Sequence, residues 1–278
     1  MTKTAVPSEL RSVGVVGAGR MGTPIIGHLV RKGFATQACD LDPARAGAVK
    51  KLGAQWAAGP ESLAAGSDAI LICVGFDREV QELLATGGPL RKARPGTIVA
   101  ILSTIHPKTV QTLAAECEGA GLHVVDSTVC RGGEAADSGT LLSFVGGSAE
   151  LVARLTPVLR AYSSDVVHTG GVGTAQVAKA VNNLILWACL VADHEGLALA
   201  RHYGADVEVL RRALLRSSCA NGPLEKWGSQ TMAWAEDDMA IVAEMAAEAG
   251  IALPQASVNR EICRALKPRR YKLEAYGR

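Results

Sequence analysis

The stretch S-V-G-V-V-G-A-G-R-M-G-T-P-I-I-G-H-L-V-R-K-G (12–33) constrains the fold more than any other part of the chain. A β-branched run enters a glycine turn, and an apolar run of helical period leaves it and stops at Gly33. A strand feeding a helix through a tight turn opens a βαβ unit, which needs a second, parallel strand. "ATQACD" (35–40) supplies that strand, and "PARAGAVKKLG" (43–53) the next helix. "DAILICV" (68–74), "GTIVAIL" (96–102), "GLHVVDS" (121–127) and "TLLSFVGG" (140–147) read as further buried strands separated by helical segments. The helical "SAELVARLTPVLRAYS" closes the series. The expected architecture is α/β, a doubly wound parallel sheet with helices on both faces.

From residue 172 the rhythm changes. Residues 174–203 form one helical pattern, apolar around most of its circumference, and no strand-like run follows it. The division expected is a Rossmann-type domain over 1–171 and an all-α domain over 172–278. A helix apolar on all sides must be covered on all sides, which predicts a homodimer or higher homo-oligomer. The most apolar stretch, "LILWACLVA", is cut off by Asp193, His194 and Glu195 and reads as a buried helix too short to span a bilayer.

Composition excludes several classes. A formal charge of +2 over 278 residues is too even for a nucleic-acid partner, and the basic "KPRRYK" (267–272) reads as a solvated tail. Seven cysteines, an odd number without a C-x-x-C pair, give neither a disulfide framework nor a metal site. With no signal-like apolar run at the N-terminus, the expected compartment is the reducing cytoplasm.

The turn itself has the spacing G-A-G-R-M-G (17–22). Gly17 permits the turn, Gly19 admits a pyrophosphate to the backbone, and Gly22 lets helix and strand pack closely. Ala18, Arg20 and Met21 complete a loop whose N–H groups face the phosphates at a helix N-terminus. Asp40 ends the next strand about twenty residues on, where its carboxylate can hold the adenosine ribose. A carboxylate repels a 2′-phosphate, and Leu41 stands where arginine often accepts one, so the cofactor expected is NAD rather than NADP. Arg45 is the residue that could oppose this.

One polar constellation remains. In G-T-A-Q-V-A-K-A-V-N-N-L-I-L-W-A (173–188) Lys179 precedes Asn182 and Asn183 by three and four residues, which puts all three on one helix face. An unpaired ammonium on a buried helix costs several kcal/mol. Either the lysine snorkels to a wet edge, or the protein uses it.

With these motifs together, the sequence resembles the β-hydroxyacid dehydrogenase family, which includes 3-hydroxyisobutyrate dehydrogenases and tartronate semialdehyde reductases. The resemblance runs through nearly the whole chain. It rests on the glycine loop, "STIHP" (103–107), "DSTVCRGGEAADSGTL" (126–141) as a substrate loop, and "GGVGTAQVAKAVNN" (170–183) as a catalytic helix. It implies that Lys179 is the general acid and base, and that Asn183 holds the substrate oxygen or orients the lysine. Cys73, Val74 and Ser103 would line the cofactor, Ser103 also meeting substrate along with Cys130, Arg131 and Gly132. His106, His194 and Cys219 read as structural.

Two departures stand out. Relatives commonly read Asp-Ala-Pro-Val-Ser-Gly-Gly where this chain has D-S-T-V-C-R-G, so Cys130 replaces serine and Arg131 replaces glycine. A guanidinium there suits a carboxylate, sulfonate or phosphonate, and sulfolactaldehyde reductases resemble this sequence in placing arginine at the position. In A-W-A-E-D-D-M-A-I-V-A-E-M-A (233–246), Asp238 matches a cofactor-side acid, but Asp237 stands where relatives have lysine. The expected function is hydride transfer between NAD(H) and a small anionic β-hydroxy acid or its aldehyde or keto partner. The alternatives are C=N reduction of the imine reductase kind, whose members usually replace the lysine, and a non-catalytic dinucleotide sensor. 6-Phosphogluconate dehydrogenase fits less well, having a far longer helical domain.

Overall fold

The computed structural model describes residues 9–228 and 232–266. The basic segment 267–272 lies outside them. The chain divides into two compact units, Met1–Lys179 and Ala180–Arg278.

In the first unit β1 (Ser12–Val16), α1 (Gly22–Arg31), β2 (Ala35–Cys39), α2 (Ala46–Lys51), β3 (Gln55–Trp56), α3 (Pro60–Ala65), β4 (Ala69–Ile72), α4 (Asp77–Leu84), β5 (Ile98–Ile101), α5 (Pro107–Glu118) and β6 (His123–Asp126) alternate as the sequence suggests. After them come β7 (Val129–Cys130), α6 (Gly132–Ser138), β8 (Leu141–Gly146), α7 (Ala149–Leu159) and β9 (Ser163–Gly170). The strands lie in the order β3-β2-β1-β4-β5-β6-β8-β7, with β9 on β8.

The six strands from β3 to β6 are parallel, and burial on both faces explains why the central β4 and β5 are apolar throughout. Val13, Val15, Ala69, Leu71, Ile98 and Ala100 point to one face, against Ile25, Ile26 and Leu29 of α1 and Leu155 and Val158 of α7. Ile70, Ile72, Val99 and Ile101 point to the other, against Leu63, Val80, Leu84, Val110 and Leu113 of α3, α4 and α5. Full burial of such a side chain contributes about 1.5–3 kcal/mol, so both faces must stay covered.

The parallel expectation fails at β8, which runs antiparallel to β6 and β7. Val129 and Cys130 already pair with β8, and the remaining 131–140 are too few for a crossover. β9 returns parallel to β8 as a mostly exposed edge strand. Its polar pattern S-S-D-V-V-H-T-G lies outside every strand the sequence suggests, with only Ser163 falling in the expected helical segment.

The long helix α8 (Thr174–His202) runs from the first unit into the second. The second unit continues with α9 (Val207–Leu214), α10 (Gly222–Glu225), α11 (Ala235–Ala249) and α12 (Pro254–Leu266). Trp187, Leu190 and Val191 of α8 form its core with Met239 and Val242 of α11 and Cys263 of α12. By length and composition α8 is apolar enough to cross a membrane, contrary to the reading that no segment is. Its few charges do not lower the mean enough, and central helices of packed cores pass the same test. All seven cysteines are free thiols.

Candidate active site

The glycine loop joins β1 to α1 at the carboxyl edge of the sheet. Gly17 has φ 99°, and a Cβ there would run into the carbonyl of Cys73. A Cβ on Gly22 would run into the carbonyl of Gly17. In front of Gly19 the nearest atom to such a Cβ is Arg45 Nη1 at 3.9 Å, so this stretch of backbone stays accessible. Met21 offers α1 no side-chain cap, which leaves the positive end of the helix for an anion. These features fit the pyrophosphate of a dinucleotide.

Asp40 lies just beyond β2. Its Oδ2 accepts from Ala18 N at 2.7 Å and its Oδ1 from Asp42 N at 2.9 Å. The cap of the turn that follows is Asp42, which accepts from Ala44 N at 3.0 Å. Arg45 reaches back over the loop, donating to Ala18 O at 2.9 Å with its Nε 3.5 Å from Asp40 Oδ1. Arg20 turns away from the loop to form a two-bond pair with Asp137 of α6, at 2.8 and 2.6 Å. Met21 packs against the core.

Beyond β4 and β5, Ser103 Oγ accepts from Val74 N at 3.0 Å and donates to Val74 O at 2.9 Å. Its hydroxyl thus fastens two strand ends together. Burial pushes the neighbouring Cys73 thiol up to about 12, which keeps it neutral.

The lysine helix is anchored by residues the sequence reading passed over. Asp126, with no exposed surface, accepts from Gly173 N at 2.8 Å and Gln176 N at 2.9 Å. Burial raises its pKa, while the backbone N–H groups pull the other way. Thr128 Oγ1 donates to Ala175 O at 2.9 Å. Gln176 donates to Ser103 O at 2.8 Å and accepts from Ile105 N at 3.0 Å. All three residues lie inside the quoted motifs, but their hydrogen bonds join segments far apart in sequence.

Lys179 Nζ donates to Val129 O at 2.8 Å and lies 3.9 Å from the buried Cys130 Sγ. Among the described residues no carboxylate is within ion-pair distance of it. The structure thus brings Lys179 to the Val129–Cys130 strand. Asn183, four residues on in the same helix, is buried, its Oδ1 accepting from Asn182 Nδ2 at 3.0 Å.

Arg131 is placed differently from the expectation of a guanidinium open to substrate. Nη1 bonds Asp165 Oδ2 at 2.7 Å, Ser164 Oγ at 2.9 Å and Thr140 O at 3.1 Å, along the β8–β9 edge. The reason is local: at φ 82° Arg131 is the one non-glycine residue described with left-handed backbone, which turns its side chain out of the β7 alternation. Gly132 follows at φ 76° with open space around it. In the second unit Asp238 accepts from Trp187 Nε1 at 2.9 Å, and Asp237 is exposed. No cluster able to hold a metal ion occurs among the described residues.

Residues 12–171 match a family described as the NAD binding domain of 6-phosphogluconate dehydrogenase. Residues 173–274 match the NAD-binding family of NADP-dependent 3-hydroxyisobutyrate dehydrogenase. The chain is 30% identical over 217 residues to an NAD-dependent L-serine dehydrogenase of Pseudomonas aeruginosa, covering 78% of this chain and 73% of that one. It is 28% identical over 262 residues to a 2-(hydroxymethyl)glutarate dehydrogenase of Eubacterium barkeri, covering 90% and 87%. The fold is that of a Mycobacterium tuberculosis 3-hydroxyisobutyrate dehydrogenase solved with L-serine, at a TM-score of 0.87 and 22% identity over 96% of this chain and 97% of that one. With its glycine loop, its lysine helix and both family matches in sequence order, the chain belongs to the β-hydroxyacid dehydrogenase family, NAD(P)-dependent dehydrogenases and reductases of CH–OH groups.

Proposed function

We propose that the chain is an NAD-preferring dehydrogenase or reductase of a small anionic β-hydroxy acid, with Lys179 as its general acid and base. The observation that carries this is the half-buried ammonium held by Val129 O beside Cys130, with no carboxylate partner among the described residues. A nicotinamide dinucleotide on the glycine loop supplies the hydride donor or acceptor. In the reducing direction Lys179 gives a proton from Nζ to the carbonyl oxygen, while Val129 O holds a second N–H and fixes the ammonium's direction. In the oxidising direction the neutral amine takes the hydroxyl proton. Asn183 has its Oδ1 engaged by Asn182, which leaves its Nδ2 to donate to the substrate oxygen.

NADH formation at 340 nm against L-serine, 3-hydroxyisobutyrate, 2-(hydroxymethyl)glutarate and their sulfonate and phosphonate analogues tests the reading. Lys179→Ala should keep NAD binding and lose roughly two to four powers of ten in turnover of the best substrate. Full turnover in that variant removes the role from Lys179. Stoichiometric NADH binding without turnover across the panel favours a dinucleotide sensor.

A homodimer is part of the same proposal. Val181, Ile185, Leu199 and Tyr203 leave large apolar surfaces exposed along α8 and its end. An apolar stripe on a helix of this length fits a second copy of the chain. The free thiols fit a reducing compartment such as the cytoplasm.

A further inference from the structure

The tetrapeptide Asp126–Ser127–Thr128–Val129 touches the first turns of α8 at four points. Asp126 takes the N–H groups of Gly173 and Gln176, Thr128 the carbonyl of Ala175, and Val129 the ammonium of Lys179. A fifth tie, from the Gln176 side chain, reaches Ser103 and Ile105 beyond β5. Asp126 and Thr128 have no exposed surface, and Gln176 retains 1%. On the opposite side the carboxylate is closed in by Gly146 of β8, where a Cβ would collide with Asp126 Oδ1.

This arrangement exceeds what a helix start needs. A helix start is commonly capped by one side chain accepting from one of its four free N–H groups. Here a buried carboxylate uses both oxygens, and a buried carboxamide uses both its donor and its acceptor. The anchors come from the ends of two neighbouring parallel strands, β5 and β6, so they fix the helix along its axis and in rotation. Lys179 follows Gln176 by three residues, on the same side of the helix. Any slip of the first turn therefore moves Nζ relative to Val129 O and Cys130.

We propose that Asp126, Thr128 and Gln176 are positioning residues for the reaction, a buried buckle that sets where the Lys179 ammonium stands at the carboxyl edge of the sheet. The inference rests on the role proposed above for Lys179. Misplacing a reacting group by about 1 Å can lower a rate by about a hundredfold without changing which groups are present.

The test is a double-mutant cycle on the full chain, read as NADH formation with the best substrate of the panel. Gln176→Met keeps the side-chain length and removes both of its bonds. It should lower kcat by about tenfold to a hundredfold while KM for NAD stays within about twofold and circular dichroism stays native. In a Lys179→Ala background the same change should lower the residual rate by less than about twofold, because there is no ammonium left to misplace. A fold defect unrelated to the lysine would lower both backgrounds by the same factor, and that result overturns the proposal. So does wild-type kcat in a folded Gln176→Met. Should Gln176→Met lose native dichroism, Thr128→Val carries the cycle, since valine keeps the shape and removes only the bond to Ala175. Full turnover in Lys179→Ala alone overturns the lysine assignment instead, and is told apart by needing no second substitution.

Discussion

Asp40 Oδ2 accepts the backbone N–H of Ala18 at 2.7 Å, so the end of β2 and the glycine loop form one hydrogen-bonded unit. Each carboxylate oxygen keeps a second lone pair after its backbone bond, enough to receive a ribose hydroxyl. The wild type should therefore prefer NAD. Asp40→Ser with Leu41→Arg should move the ratio of kcat/KM values toward NADP by about tenfold or more, and should also lower Tm by loosening Ala18. A wild type that already prefers NADP would move the 2′-phosphate to Arg45.

Arg131→Gly is the most discriminating substitution at the substrate loop. Left-handed backbone costs a non-glycine residue roughly 1–2 kcal/mol, and the exposed bonds to Asp165, Ser164 and Thr140 offset only part of it. The variant should keep KM within about threefold and gain about 2–4 °C in Tm. A KM raised by tenfold to a hundredfold would mean that the guanidinium leaves Asp165 for the substrate anion, a bidentate pair of about 1.5–3 kcal/mol.

Acid sensitivity should trace to Asp68, whose carboxylate joins the start of β1 to β4. Burial pushes its pKa up, but the N–H groups of Ser12 and Arg11 and the guanidinium of Arg94 bring it below the ordinary 3.8. A depressed folded value stabilises the protein above the unfolded value, and that stabilisation fades as pH falls through the folded one. Thermal unfolding should show Asp68→Asn less stable than wild type at neutral pH, with the gap closing as pH falls below the ordinary 3.8. A gap independent of pH would assign the loss to packing.

Light scattering at micromolar concentration should find the wild type dimeric and Ile185→Glu monomeric, because a charge would replace a side chain 57% exposed on the apolar stripe of α8. A monomeric wild type would leave that stripe without the second copy proposed for it.

The parallel half of the sheet was legible because period and burial coincide there: Ile70 and Ile72 face one core, Ala69 and Leu71 the other, and no alternative pattern competes. β9 was not, because an edge strand carrying Asp165 and His168 has no apolar period. The glycine loop could be read at residue level, since steric demands at Gly17 and Gly22 leave only glycine. Arg131 shows the limit. Its residue type suggested an anion, but its partner Asp165 lies on a strand the pattern concealed. Gln176 escaped notice for a related reason, because what it touches is backbone, which no side-chain motif encodes.

The scattered thiols give the molecule a chemical clock for its own breathing. Cys219 is the exposed one, so a maleimide label should go there first and leave a handle on the helical unit. Cys39 and Cys263 are buried with thiols pushed up to about 11, and the part-buried Cys73 up to about 12, so each is alkylated faster when its surroundings open. Cys39 ends β2, Cys73 follows β4 and Cys263 lies in α12, so the order in which mass is gained maps which part of each unit loosens first.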